Sequence, residues 1–98
     1  MFGKLFKKTD YKKLLEDGAV IIDVRNPGEF KSGAAPGSEN IPLGNIPGKT
    51  KQIKSLEVPV ICVCASGMRS GAASGQLKAA GIEAYNGGPW TKMLQYLD

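Results

Sequence analysis

The run Val60-Ile61-Cys62-Val63 is apolar at every position and leads into Cys64-Ala65-Ser66-Gly67-Met68-Arg69-Ser70. A strand that reads this way is buried on both faces, and a sheet meets that demand when helices cover both of its sides. A tight loop and a helix are expected next, so the chain places a thiol where a strand stops and a helix starts. Backbone N–H groups and the positive end of the helix converge there, and both favour the thiolate, the nucleophilic form of cysteine.

The rest of the chain repeats the alternation. Ala19-Val20-Ile21-Ile22-Asp23-Val24 is a second β-branched, nearly continuous apolar run, again the mark of a strand buried on both faces. Before it, Thr9 is read as the cap of a helix through Tyr11, Leu14 and Leu15 that Gly18 stops. After it, Asn26 and Pro27 open a short helix that ends at Gly33. Ser38-Glu39-Asn40-Ile41 is expected as a short strand closed by Pro42. Ile46, Ile53 and Leu56 are read as anchors of a short helix that turns Lys49, Lys51 and Lys54 outward. Met68 to Ala80 reads as a helix anchored by Leu77, with Gly71, Ala72, Ala73 and Gly75 allowing close approach to a sheet. Ile82-Glu83-Ala84-Tyr85 is expected as the last strand, Asn86-Gly87-Gly88 as a turn and Pro89 to Leu97 as a closing helix. Leu5-Phe6-Lys7 is expected as a short edge strand. Strands alternating with helices predict an α/β domain with a mainly parallel sheet, and 98 residues predict a single domain over 1–98. In such sheets the reactive crevice lies at the carboxyl ends of the strands, so Asp23-Val24-Arg25 and Cys64 are expected on one rim.

Composition narrows the chemistry. The chain contains no histidine and only two cysteines, which excludes Cys–His and Ser–His catalysis and leaves no ligand set for a structural zinc site. Neither a metal nor a cofactor is called for. Cys62 and Cys64 stand two apart on one strand, and a disulfide between such neighbours is strained. Cys62 is read as plain core. The net charge is +4, and Lys4, Lys7, Lys8, Lys12 and Lys13 form a basic cluster read as a solvated face. The interleaved Phe2, Leu5 and Phe6 make a membrane surface or an acidic partner the second reading. No basic stripe with aromatics continues through the chain, so a nucleic-acid partner is not expected. Met1 to Lys13 lack the apolar segment of a secretory signal, and no apolar run is long enough to span a bilayer. A cytoplasmic monomer with reduced thiols is the expectation.

Successive N–H groups pointing inward make an anion-binding concavity. Gly67 permits the tight backbone, Ser66 and Ser70 add hydroxyl donors, and Ala65 completes the turn. Met68, Arg69 and Ser70 form the first turn of the helix, whose free N–H groups face the same point. Arg69 is expected to add a fixed positive charge. Asp23 and Arg25 are read as a local ion pair fixing the strand end, in preference to direct catalysis. Trp90 is read as packing the last helix onto the sheet.

Five pieces in register give the chain a family resemblance. They are Ile22-Asp23-Val24-Arg25, Pro27-Gly28-Glu29-Phe30, Gly33-Ala34-Ala35-Pro36-Gly37-Ser38-Glu39-Asn40-Ile41-Pro42-Leu43, the Cys64 to Ser70 loop, and Asn86-Gly87-Gly88-Pro89-Trp90. Over almost its whole length the chain resembles a single-domain rhodanese. The resemblance implies a parallel five-stranded sheet flanked by helices on both faces, with Cys64 at the bottom of a loop that cradles a sulfane sulfur. It also implies sulfurtransferase activity, in which Cys64 takes sulfur from thiosulfate or a persulfide and passes it to a thiol or cyanide. Cys-x4-Arg is the loop length associated with sulfur transfer, whereas the related phosphatases carry one residue more, for a cradle that fits phosphate. Two positions depart from the family pattern: Ala34 stands where histidine is usual, and Ala65 stands where a large or basic residue is common. The second lowers the expected affinity for thiosulfate and points toward a persulfide donor on a protein or small thiol. The alternative to an enzyme is a persulfide carrier or docking module that delivers sulfur to a protein partner with little small-molecule turnover.

Overall fold

The computed structural model describes residues 8–97. Helix α1 (Tyr11–Glu16) leads into β1 (Val20–Asp23), α2 (Pro27–Lys31) and β2 (Glu39–Asn40). A 3-10 turn at Leu43–Asn45 runs straight into α3 (Ile46–Lys54), then β3 (Val60–Cys64), α4 (Met68–Ala79) and β4 (Ala84–Pro89). Helix α5 (Trp90–Met93) and a second 3-10 turn at Leu94–Tyr96 close the chain. The strands lie in the order β2-β1-β3-β4, and every pairing is parallel.

The pleat of β3 sorts the core into two layers. Val60, Cys62 and Cys64 face Ile46, Ile53, Ala73 and Leu77 of α3 and α4. Ile61 and Val63 face Met93, Leu14, Tyr11 and Trp90 of α1 and α5. All five residues of β3 are buried, so the apolar run at 60–64 is an inner strand whose two faces each meet a helical layer. The two cysteines share a face, as alternation requires. Among the described residues no helix is long and apolar enough to cross a membrane.

Several local expectations shift. The sheet has four strands among the described residues rather than five; the expected edge strand Leu5-Phe6-Lys7 lies outside them. Asp10, not Thr9, caps α1, its side chain accepting from the Lys13 N–H at 3.1 Å, because a carboxylate is the stronger acceptor for that orphan donor. Leu56 is half exposed and does not anchor α3, whereas Ile46 and Ile53 do. The Ser38–Ile41 strand shrinks to two residues. The closing helix is one α-turn followed by a 3-10 turn.

The largest correction concerns Asn86-Gly87-Gly88, which belongs to β4 and not to a turn. Cys62 pairs with Asn86 and Val63 with Gly88, so Gly87 is an extra residue in a bulge. A Cβ on Gly87 would stand 2.7 Å from Ile61 Cγ2, 3.0 Å from Val63 Cγ1 and 3.1 Å from the Cys62 carbonyl oxygen. Glycine here is a packing requirement of the central strand. Gly87→Ala is therefore expected to destabilise the chain by about 1–3 kcal/mol, the usual cost of overpacking. Urea unfolding measures it, and an unchanged midpoint contradicts the close approach.

Candidate active site

The site begins where β1 and β3 end side by side, with Asp23 opposite Val63 and the Val24 N–H donating to the Val63 carbonyl at 2.9 Å. Asp23 is fully buried and Arg25 nearly so. Arg25 Nη2 reaches Asp23 Oδ2 at 2.7 Å, Nε reaches both carboxylate oxygens at 3.0 Å, and the Arg25 backbone N–H adds a bond to Oδ1. The same guanidinium donates to the Gly33 carbonyl at 2.7 Å and the Glu29 carbonyl at 3.3 Å, and lies 5.0 Å from the centre of the Trp90 ring. This is the expected strand-end ion pair. Trp90 packs against the α1/α5 side of the core, as expected, and also covers Arg25, which the sequence did not suggest.

Cys64 is fully buried, and its sulfur faces back into the loop it opens. The Gly67 N–H donates to Sγ at 3.0 Å and the Ser70 N–H at 3.4 Å, while the Ser70 hydroxyl stands 3.3 Å away. Gly67 holds φ at +107° immediately before α4, a conformation a side chain would strain, and that turn brings its N–H round to the sulfur. Burial opposes ionisation, but the Ser70 hydroxyl and the N–H groups of Ser70, Gly67 and Ser66 outweigh it and hold the Cys64 thiol below its ordinary value. Ala65, Ser66 and Met68 are exposed, Met68 at 82%. Cys62, one pleat deeper, is pushed up to about 12, by burial first and by Cys64 second. It sits in the core, as expected.

Arg69, expected to add a fixed positive charge to the cradle, is paired with a carboxylate that the sequence did not suggest. Its Nη1 and Nη2 take the two carboxylate oxygens of Glu29 at 2.7 and 3.1 Å, side by side. Glu29 falls to about 2, chiefly through that hydrogen bond and secondly through the Asn26 N–H it also accepts. The Arg69 pKa rises, mainly through Glu29 and to a smaller extent through Cys64. The guanidinium thus stays within electrostatic reach of the sulfur with its charge balanced by a carboxylate.

Glu29 and Asn86 are the two site residues whose roles sequence reasoning missed. Glu29 occupies the third helical position after Asn26, which signals a capping role, but nothing local announces a partner 40 residues away. Asn86 carries a turn-forming composition yet reaches across to the cradle. Its Oδ1 accepts from the Ser70 hydroxyl at 2.6 Å and from the Gly88 N–H at 3.0 Å, and its Nδ2 donates to the Gly67 carbonyl at 3.0 Å.

Residues 7–89 match the family described as the rhodanese-like domain. YqhL, an uncharacterised protein of Bacillus subtilis (strain 168), is 39% identical over 69 residues, which are 69% of this chain and 54% of that protein. The chain thus spans about half the length of this relative. The thiosulfate sulfurtransferase GlpE of Pseudoalteromonas translucida (strain TAC 125) is 34% identical over 82 residues, 80% of this chain and 77% of that one. A solved rhodanese with anions from E. coli superposes with a TM-score of 0.66 at 26% identity, over 76% of this chain and 91% of its own. The family match takes in both the strand end of Asp23 and the loop of Cys64, and the chain belongs to the rhodanese-like family.

Proposed function

We propose that the chain is a sulfurtransferase that carries sulfur as a persulfide on Cys64. The observation that supports this most is the Sγ of Cys64 receiving the Gly67 and Ser70 N–H groups at 3.0 and 3.4 Å, with its thiol held below the ordinary value. Thiolate is thereby available without a histidine base. In the first half-reaction the thiolate attacks the outer sulfur of the donor. The donor's S–S bond breaks, and its electron pair leaves with sulfite or with the donor thiol. In the second, an acceptor thiolate or cyanide attacks the outer sulfur on Cys64, and the electron pair returns to Sγ. The loop amides face the sulfur in both steps, where negative charge collects.

The donor we favour is a persulfide on a protein or small thiol. Thiosulfate brings two negative charges, and Arg69, the cation carried on the loop itself, is already balanced by Glu29. Ala65 supplies no compensating charge. Ala65, Ser66 and Met68 are the exposed residues of the loop, and a donor would approach past them. A carrier that hands its sulfur to a dedicated protein partner uses the same site, and the exposed Met68 supports a protein at the rim in either case.

Cys64→Ser removes the sulfur acceptor, and steady-state transfer from thiosulfate or a small persulfide to cyanide is expected to fall by at least about a hundredfold, the scale of losing a covalent nucleophile. Transfer that survives above about one per cent contradicts the assignment. Glu29→Gln uncovers the Arg69 charge while keeping a partner of similar shape. Its kcat/KM for thiosulfate is expected to rise about two- to fivefold, in line with a partly exposed ion pair, with a smaller gain for a persulfide donor, whose S–S group brings at most one negative charge. Equal effects on the two donors would mean that Glu29 only holds the loop.

A further inference from the structure

The Ser70 hydroxyl has one proton and two neighbours that can accept it. Cys64 Sγ lies 3.3 Å from Ser70 Oγ, and Asn86 Oδ1 lies 2.6 Å from it. The orientation of the Asn86 amide follows from its other contacts. Its oxygen accepts from the Gly88 N–H and its nitrogen donates to the Gly67 carbonyl, both at 3.0 Å. Turned over, the amide would set donor against donor at Gly88 and acceptor against acceptor at Gly67. An acceptor therefore faces Ser70. While Cys64 is a thiol the network closes, because Sγ–H donates to Ser70 Oγ and Ser70 donates to Asn86. Once the thiol has lost its proton to water, the sulfur is an acceptor too. Ser70 can then serve it only by turning its proton away from Asn86, which leaves Oδ1 of this exposed side chain with the Gly88 N–H and solvent.

We propose that Asn86 is a positioning residue that sets how readily Cys64 ionises, by competing with the sulfur for the single proton of Ser70. It also ties the loop to β4 through the Gly67 carbonyl, and its own backbone carbonyl accepts from the Tyr11 hydroxyl at 2.9 Å. The charged and titratable groups around the sulfur stand on other elements. Arg69 on α4 is paired with Glu29 on α2, Asp23 with Arg25 at the end of β1, and Cys62 lies deeper on β3. None of them is altered by substitutions at 86. The inference deepens the sulfur-transfer reading in its kinetic consequence, but the ionisation of Cys64 is measurable without any sulfur donor, so the two fail separately.

Thiolate absorbance of the full chain against pH reads the Cys64 midpoint directly, since Cys62, at about 12, titrates well above it. Asn86→Ala frees the Ser70 proton for the sulfur, and the midpoint is expected to fall by about half to one pH unit, the worth of one hydrogen bond. Asn86→Asp grips the proton more strongly and adds a negative charge, so the midpoint is expected to rise. A residue that merely tethered the loop would loosen the cradle in both variants and raise the midpoint both times. In a Ser70→Ala background, Asn86→Ala is expected to leave the midpoint unmoved. An unchanged or raised midpoint in Asn86→Ala, or the same fall without the Ser70 hydroxyl, overturns the proposal. If Asn86→Ala does not fold, the similarly sized Asn86→Asp decides. Its rise is expected to be larger with Ser70 present than in the Ser70→Ala background, and equal rises overturn the proposal.

Discussion

The buried pair of Asp23 and Arg25 is the interaction on which the arrangement of the site depends. A carboxylate with no exposed surface tolerates its charge only because a guanidinium and a backbone N–H meet it at 2.7–3.0 Å. Removing either partner from such a pair leaves a buried charge uncompensated, at a cost of about 3–5 kcal/mol. The pair also reaches beyond itself. Arg25 holds the carbonyls of Glu29 and Gly33, which fixes where α2 sits against the sheet, and Trp90 at the start of α5 covers the guanidinium. Because α2 is fixed in this way, the Glu29 side chain stands where Arg69 can take it from the far side of the loop.

The sulfur is stabilised by dipoles more than by net charge. The Ser70 hydroxyl and the N–H groups of Ser70, Gly67 and Ser66 converge on it, and together they outweigh the desolvation that burial imposes. Arg69, the cation on the loop, is balanced by Glu29. Such a cradle accommodates a thiolate and a persulfide alike, since both present a charged sulfur to the same donors. On the proposed reading it would offer less to a free dianion, which needs unbalanced positive charge in a partly dry site. In the proposed transfer, preorganised N–H groups would need no rearrangement as charge moves between donor, Cys64 and acceptor.

Much of this was legible in the chain before any coordinates. The apolar runs at 19–24 and 60–63 predicted strands buried on both faces because they are short, β-branched and apolar at nearly every position, and both are buried inner strands of the sheet. The alternation placed Asp23 and Cys64 at one rim, and the loop at 64–70 announced the amides that face the sulfur. What stayed hidden came from tertiary contacts that leave no local periodicity. Gly87 looks like a turn residue in isolation, and only the packing of Ile61 and Val63 shows that it fills a bulge. Arg69 reads as a free charge until α2 brings Glu29 to it. Asn86 becomes part of the site only when β4 lies beside β3.

Intact mass of the protein after incubation with a small persulfide donor and removal of that donor tests the central claim most directly. The account predicts one added sulfur atom per chain, located on Cys64 by peptide mapping and released when a thiol acceptor is added. A chain that gains no sulfur, or that carries it on Cys62, would contradict the account.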